Sequence, residues 1–182
     1  MLAYVFWHVP RPGIAPADYE PRLTEFHTAL RAGGVAGVRR TTTLALPAVP
    51  WLGGAAGYED WYLVEDFAAL GTLNAAAVAG GRRAPHDAAA AAVLTGVAGV
   101  MGHVCGPLLP AEPAWAAWLS KPEGLAYDAF HHELATALAS LPEACAWQRQ
   151  MTLGPATEYC VLAAGPAALP WPARGWPVRP VI

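Results

Sequence analysis

The sequence has few of the residues that would indicate a strongly charged partner. Lys121 is the only lysine, the other ten basic residues are arginines, and they form no basic run. The formal net charge is −3, which gives no electrostatic reason to bind nucleic acid or an anionic membrane. We therefore predict neither a nucleic-acid partner nor a membrane partner.

Cysteine is scarce and unfavourably spaced. Cys105, Cys145 and Cys160 are odd in number and form no CxxC motif. This argues against a disulfide framework and predicts a reducing, cytoplasmic location. His131 and His132 are neighbours on a predicted helix, unlike the i, i+4 histidine pair of a zinc helix. We therefore predict no metal site.

Long apolar runs are also missing. The opening MLAYVFWHV lacks the basic segment and the cleavage site of a signal peptide, so we interpret it as a strand. The Ala- and Gly-rich stretch at 88–102 is shorter than the ~20 residues of a membrane-spanning helix. The 55% hydrophobic content instead predicts a packed core in one domain or two small ones.

A turn followed by a helix occurs twice. RPGIAPADYEPRLTEFHTAL at 11–30 is echoed by KPEGLAYDAFHHELATAL at 121–138. A shift of about 111 positions aligns the two segments without a gap. Each predicted helix carries one apolar stripe, and a glycine precedes each in the turn. We expect Asp18 to cap the first helix, which would place Pro21 in its first turn. The aligned pairs are Trp7/Trp118, Gly13/Gly124, Tyr19/Phe130, Leu23/Leu134 and Leu30/Leu141.

The similarity resumes after each helix. GVRRTTTL at 37–44 aligns with AWQRQMTL at 146–153, and EDWYLV at 59–64 aligns with TEYCVL at 157–162. The first copy continues with a predicted helix from about Asp66 to Val78, a helical piece from about His86 to Leu94 and a strand near 98–105. This order is βαββαβ, a ferredoxin-like unit. The matched pairs are Arg40/Arg149, Thr43/Thr152, Leu44/Leu153 and Trp61/Tyr159.

The second copy is shorter. Closely spaced prolines after Ala164 exclude a regular helix and a central strand, so we predict that its second helix is missing. The Pro/Gly segment 106–113 is the predicted connector. The resulting assignment is a complete ferredoxin-like unit at 1–110 and a shortened one at 111–182.

The run RPGIAPADY…L…FH, preceded by a strand, resembles the opening of the dimeric α/β-barrel superfamily, especially its EthD-like branch. His27 occupies the histidine position near the helix end. The resemblance implies an α+β fold in which two antiparallel sheets pack face to face, because helices cover only one side of each sheet. The repeat predicts that both sheets come from one chain. We expect a monomer with an intramolecular pseudo-dimer, with a homodimer as the alternative.

Two histidines are candidate catalytic residues. His27 flanks the helix stripe and could face a cleft between helix and sheet; alternatively, it is a partly exposed residue that favours the helix C-terminus. His8 lies on the same strand face as Tyr4 and Phe6. It could line the same cleft or simply end the strand.

The candidate ligand-binding residues are aromatic or cationic. Arg40 could bind an anion, or it could form an ion pair with a carboxylate such as Asp60 or Glu158. Three aromatic residues could form the walls of a ligand pocket, or they could simply belong to the protein core. They are Trp7, Trp61 and Tyr62.

His103 is a further candidate ligand-binding residue, and it lies on the predicted fourth strand. We expect the first and fourth strands to flank different central strands, so His103 need not meet His8. The pair His86–Asp87 could form a dyad, but adjacent residues rarely face each other, and Asp87 suits a helix N-cap.

These observations predict a small-molecule-binding protein with a small apolar or aromatic ligand. The EthD-like resemblance implies a cofactor-independent monooxygenase or an accessory protein of an oxidative pathway. His27 would then be the general base, His8 its orienting partner, and Trp61 and Tyr62 the walls. No cofactor is predicted. The alternatives are a haem-binding protein with His103 or His27 as axial ligand, and a non-enzymatic structural or interaction module.

Overall fold

The computed structural model describes residues 1–151, 154 and 156–182. Two compact units are present, Met1–Ala98 with Val181–Ile182 (unit 1) and Gly99–Pro180 (unit 2). The sequence suggested a boundary at residue 110, whereas these units divide at 98/99. The matched residues Thr152 and Leu153 lie outside the described residues. None of the described helices is long and apolar enough to cross a membrane.

The elements of unit 1 are β1 (Leu2–Pro10), α1 (Pro16–Ala32), β2 (Val38–Leu46), β3 (Gly57–Val64), α2 (Phe67–Ala77), α3 (Arg83–Ala92) and β4 (Val93–Cys105), with short 3-10 turns at Pro50–Leu52 and Gly80–Arg82. The strand order is β4–β1–β3–β2, and β3 is antiparallel to both β1 and β2. The two β-α-β crossovers interleave, which places β1 and β3 at the centre. The expected separation of the first and fourth strands is therefore wrong, because β4 lies beside β1.

Helix α1 begins earlier than predicted. Ala15 is its extended N-cap and Pro16 its first residue. The expected cap at Asp18 is wrong, because a proline lacks the N–H that the first helical position would leave unpaired and its φ already suits a helix. Pro21 consequently lies inside the helix. Gly13 in the preceding turn has φ +87°, a conformation that favours glycine.

The two shorter helices differ in how they begin. Asp66 caps α2 by accepting a hydrogen bond from the backbone N–H of Ala69 at 2.8 Å. The helix matches the predicted span closely. Helix α3 begins at Arg83, so the expected N-cap at Asp87 is wrong and that residue lies within the helix.

The helix-facing side of the unit 1 sheet carries a hydrophobic core. The α1 stripe is buried as predicted and packs against aromatic residues of β3 and aliphatic residues of α2 and α3. On β1, Ala3, Val5 and Trp7 are buried on the opposite side of the sheet. The buried core residues of the helix-facing side are Tyr19, Leu23, Phe26, Leu30, Tyr58, Tyr62, Val64, Ala69, Leu73, Ala89 and Ala92.

The elements of unit 2 are β5 (Trp115–Leu119), α4 (Tyr127–Leu138), β6 (Cys145–Gln150), β7 (Tyr159–Ala163), β8 (Ala173–Pro177) and β9 (Arg179–Pro180). The strand order is β8–β5–β7–β6–β4, to which β4 contributes residues 100–105. No helix follows β7 in the described part of the unit. Instead, Trp171 of a Pro-rich segment packs edge-on against Phe130, with ring centroids 4.9 Å apart.

Strand pairing gives an independent correspondence between the units. His8 pairs with Tyr58 in unit 1, and Leu119, its counterpart on β5, pairs with Tyr159. Tyr159 packs on Phe130 of α4 at 4.9 Å, as Tyr58 packs on Tyr19 of α1 at 5.1 Å. The match of Tyr159 with Trp61 is therefore wrong, and Tyr159 corresponds to Tyr58.

The match of Arg40 with Arg149 is also wrong. Arg40 pairs with Leu63 on β3, whereas the backbone N–H of Arg149 donates to Glu158, the residue before Tyr159. Helix α4 ends at Leu138, the counterpart of His27, whereas α1 continues to Ala32, so the residues matched after the two helices hold different places in the ladders. Tandem duplication and face-to-face packing of the two sheets stay predictions.

Candidate functional site

A cavity of about 800 Å³ opens on the helix-facing side of the unit 1 sheet. We call the buried residues His8, Tyr19, Asp60 and Tyr62 its floor. Its rim contains exposed residues such as Phe67, Asn74 and Ala90. Apolar side chains from all three helices and from the sheet form the walls, including Phe6, Leu23, Phe26, Leu70, Leu73 and Val93.

Asp60 is the centre of the polar floor. The Thr43 hydroxyl donates to its Oδ1 at 2.5 Å and the Tyr62 hydroxyl to its Oδ2 at 3.1 Å. Nε2 of His8 lies 3.3 Å from Oδ2, and Nε2 of His27 lies 3.5 Å from Oδ1. Burial alone would raise the pKa of Asp60, but its electrostatic interactions with His8 and with His27 outweigh burial and hold the pKa far below its usual value. Asp60 is therefore a fixed, buried carboxylate.

His8 joins this carboxylate to Tyr19. Nδ1 of His8 lies 2.7 Å from the Tyr19 hydroxyl. Burial, followed by the nearby Asp60 charge, raises the pKa of Tyr19, so the phenol keeps its proton and can donate it to Nδ1. In its neutral form, His8 then carries its proton on Nε2, which faces Asp60. The distance from Nε2 to Oδ2 is that of an ion pair, but the two atoms do not have hydrogen-bond geometry. The rings of Phe6 and Tyr58 stack against His8 and fix its plane.

His27 holds the carboxylate from the α1 side. Its Nε2 lies 3.3 Å from both the Thr43 and the Tyr62 hydroxyl oxygens. Since both hydroxyls give their protons to Asp60, Nε2 must donate to them. His27 is fully buried, stacks on Tyr62 and is not among the residues that line the cavity. In this geometry it orients Asp60 and does not face a ligand.

The arrangement Tyr19–His8–Asp60 can move a proton. A phenol hydroxyl donates to one nitrogen of an imidazole, and the other nitrogen faces a buried carboxylate. The logic is that of a nucleophile–histidine–carboxylate triad, in which the carboxylate stabilises the imidazolium that forms. Here the hydroxyl belongs to a tyrosine at the floor of a cavity.

Of the predicted aromatic walls, Tyr62 lines the cavity. Trp7 and Trp61 are buried and do not line it. Trp7 lies on the other side of the sheet, where its indole N–H donates to the Glu59 carboxyl at 2.9 Å. Burial raises the pKa of Glu59 to about 7, although hydrogen bonds from Trp61 and Trp7 oppose the shift.

The remaining candidates lie away from the floor. Arg40 is exposed on β2 and does not line the cavity. The described contacts of Asp60 come from histidine, threonine and tyrosine, as given above. His103 belongs to unit 2, where its ring packs edge-on against Trp147 and its Nε2 lies 3.3 Å from the carbonyl oxygen of Pro107.

His86 and Asp87 do contact each other, contrary to the sequence interpretation. Nδ1 of His86 lies 3.0 Å from Oδ1 of Asp87, and Arg83 reaches the other carboxylate oxygen at 3.6 Å. His86 lines the cavity and packs edge-on against Phe26. The hydrogen bond from His86 lowers the pKa of Asp87, so Asp87 is ionised and Nδ1 carries the proton.

Sequence reasoning missed Tyr19, Thr43 and Asp60 as members of the site. Tyr19 was assigned to the core stripe, and Asp60 only to an ion pair. One signal was available, since Glu59 and Asp60 interrupt a strand that is otherwise apolar and aromatic. Ionisable residues on a buried strand require partners, and such positions are often functional.

The described residues contain no group of three or more ligating side chains suited to a metal ion. Haem does not fit the two predicted ligands either. Nε2 of His27 is directed at Asp60, Thr43 and Tyr62, and His103 is not among the residues that line the cavity. No step through haem is derived.

No family model matches the sequence, and no curated protein matches it. Among solved structures, the chain is similar to a "putative monooxygenase" from Lactobacillus acidophilus NCFM, with a TM-score of 0.66, 8% identity and coverage of 100% of this chain and 94% of the other. It is also similar to a "putative chlorite dismutase", with a TM-score of 0.48, 10% identity and coverage of 97% and 94%. The first likeness is one of fold alone, and it agrees with the α+β architecture described above.

Proposed function

We propose that unit 1 binds a small, largely apolar molecule with a weakly acidic O–H or C–H group and removes that proton. The observation that carries the proposal is the Tyr19–His8–Asp60 array at the floor of an apolar cavity. A cavity of about 800 Å³ has the size of ligand sites, and a few converging polar groups in apolar walls are typical of them. This volume also argues against a purely structural module.

The proton transfer follows from the tautomers. The ligand gives its proton to the Tyr19 oxygen while the Tyr19 proton passes to Nδ1 of His8. His8 then becomes an imidazolium whose Nε2–H faces the Asp60 carboxylate, which stabilises the new charge. The products are a ligand anion and a protonated His8. Thr43, Tyr62 and His27 hold Asp60 in place throughout.

The more specific assignment is an EthD-like protein with a tandem fused repeat. The first solved structure described above carries the name of a monooxygenase, and this chain shares its fold. In oxygenation without a cofactor, the ligand anion would react with dioxygen, so the same proton transfer would be the first step. The shared strand pairing of the two units supports the tandem origin.

A fluorescent weak acid tests the proposal. The probe is 7-hydroxycoumarin, a small aromatic phenol whose neutral and ionised forms have different excitation spectra. We expect saturable binding with a larger ionised fraction bound than free. His8→Leu, which introduces the unit 2 residue, should retain binding and lose the extra ionisation. His103→Leu is the matched control and should leave both signals unchanged.

Two results would count against the proposal. Absence of saturable binding would contradict the ligand site. Unchanged ionisation of the bound probe in His8→Leu would contradict the role of His8 as proton acceptor.

A further inference from the structure

The rim of the cavity contains a second polar group at a distance from the floor. His86 is the histidine of α3 that lines the cavity, and its side chain is 32% exposed. Its neighbours on the wall are apolar, including Phe26 at 5.4 Å between ring centroids. A ligand that fills the cavity would therefore meet polar atoms at two ends, separated by an apolar wall.

The Asp87 carboxylate fixes the chemistry of this second group. Because an ionised carboxylate only accepts hydrogen bonds, Nδ1 of His86 must donate to it. Arg83 contacts the same carboxylate and holds it on the outer side of α3. In its neutral form the imidazole then presents Nε2 as an acceptor, for which the described residues provide no hydrogen bond.

The separation of the two ends follows from α1. Tyr19 belongs to the floor and Phe26, which packs on His86, lies seven residues later on the same helix. Seven residues at ~1.5 Å per residue place them about 10 Å apart along the helix axis. A single small ring is too short to reach both ends at once.

We propose that His86 determines ligand specificity by accepting, through Nε2, a hydrogen bond from a hydroxyl or N–H group at the end of the ligand remote from its acidic proton. Asp87 is a positioning residue that keeps Nδ1 protonated. The ligand class is an elongated apolar molecule with a weak acid at one end and a hydrogen-bond donor about 10 Å away. This inference rests on the proposed function, because it assumes that the acidic end meets Tyr19.

A matched pair of probes tests the inference. The probes are 7-hydroxy-3-(hydroxymethyl)coumarin and 3-ethyl-7-hydroxycoumarin, which are similar in size and differ in one donor at the far end. The wild type should bind the hydroxymethyl compound about fivefold to tenfold more tightly, which lies within the range of one hydrogen bond. His86→Phe should abolish this preference without weakening the ethyl compound. His86→Gln, which keeps an acceptor oxygen, should restore part of it.

The possible results distinguish a failure of the His86 proposal from a failure of the proposed function on which it rests. Equal affinities of the wild type for the two probes, or a preference that persists in His86→Phe, would overturn the role of His86. Ionisation of the bound 7-hydroxyl would still report the floor in both cases. If neither probe bound saturably, the proposed function itself would be wrong, and the inference with it.

Discussion

The helix-facing cores of the two units share the same strand pairing and helix position. The core of unit 1 is polar at five positions where the core of unit 2 is apolar. By strand pairing and helix position, Leu119 in unit 2 corresponds to His8, Phe130 to Tyr19 and Val161 to Asp60. The same correspondence places Leu138 at the position of His27 and Ala146 at that of Thr43. All five unit 2 residues are buried members of one hydrophobic cluster.

This difference shows which hydrogen-bond partners the polar site of unit 1 requires. Unit 2 fills the space with apolar side chains and covers Phe130 with Trp171, where unit 1 has α2, α3 and a cavity. An apolar core needs no hydrogen-bond partners, whereas the buried carboxylate of unit 1 needs every donor around it. The polar residues of unit 1 are therefore not needed to build the fold.

The largest loss of stability should come from replacing only one of the five polar residues of unit 1 by its counterpart in unit 2. Asp60→Val gives unit 1 the unit 2 residue but leaves His8, His27, Thr43 and Tyr62 without their acceptor. We expect the free energy of unfolding to fall by about 3–5 kcal/mol, the cost of breaking one side of a buried charged cluster. Chemical denaturation of the variant and the wild type measures this difference.

The complete exchange should cost less than the single change. A variant with His8→Leu, Tyr19→Phe, His27→Leu, Thr43→Ala and Asp60→Val has apolar residues at all five positions. Because no buried polar partner among them is then left unpaired, its stability should exceed that of Asp60→Val alone. A lower stability would show that the two cores are not equivalent.

The next effect concerns the opposite side of the sheet. Glu59 has a pKa of about 7 in the folded protein against 4.5 ordinarily, mainly because it is buried. The folded state therefore binds the extra proton between pH 4.5 and pH 7, and stability should fall as the pH rises through this window. The expected loss is about 3 kcal/mol. Cys160, its counterpart in unit 2, carries no such charge.

Denaturation curves at several pH values check this expectation. Glu59→Gln should remove the decrease in stability between pH 4.5 and 7. It should leave unchanged the separate loss of stability at acidic pH, which we call the acid limb. That limb has the opposite sign, because the depressed pKa of Asp60 stabilises the fold above pH ~4 and this contribution is lost as the pH falls further. An identical pH profile in Glu59→Gln would contradict the assignment.

A smaller effect distinguishes two buried tyrosines. Tyr19→Phe removes the hydroxyl on His8, and Tyr159→Phe removes the hydroxyl on His131. Each should cost about 1 kcal/mol, the net value of one hydrogen bond. Only Tyr19→Phe should also abolish ionisation of bound 7-hydroxycoumarin. Loss of that signal in Tyr159→Phe would remove the functional difference between the units.

The smallest effect should be the same in both units. Gly13 and Gly124 have φ values of +87° and +77°, and a Cβ at either position would meet no atom within 4 Å. Alanine there should cost about 1 kcal/mol through backbone strain alone. Thermal unfolding of Gly13→Ala and Gly124→Ala should give similar shifts. Clearly unequal shifts would indicate that the two turns are not equivalent.

The sequence predicted the parts of the fold that depend on local pattern. The apolar stripe of α1, the start of α2 at Asp66 and the common face of Tyr4, Phe6 and His8 all follow from the period of a helix or a strand. It failed where neighbouring strands must be aligned. Arg40 and Arg149 match as letters, but the ladders place them at different positions.

The candidate site was predicted only in part. His8 and Tyr62 were chosen for strand position and aromatic character, and both line the cavity. Tyr19 resembled an ordinary core residue, because an aromatic residue at that spacing fits the core equally well. Asp60 acquires its role from three other elements, namely Thr43 on β2, His8 on β1 and His27 on α1.

The sequence by itself determined the helices, the strands and which side chains share a face, because these depend on residues a few positions apart. Only the tertiary structure decided that three side chains from other elements meet around one carboxylate, and that the corresponding positions of unit 2 hold leucine, valine and phenylalanine. The physical reason is that a hydrogen-bond network depends on distances of about 3 Å between atoms from separate elements. Strand register fixes those distances, and local sequence does not.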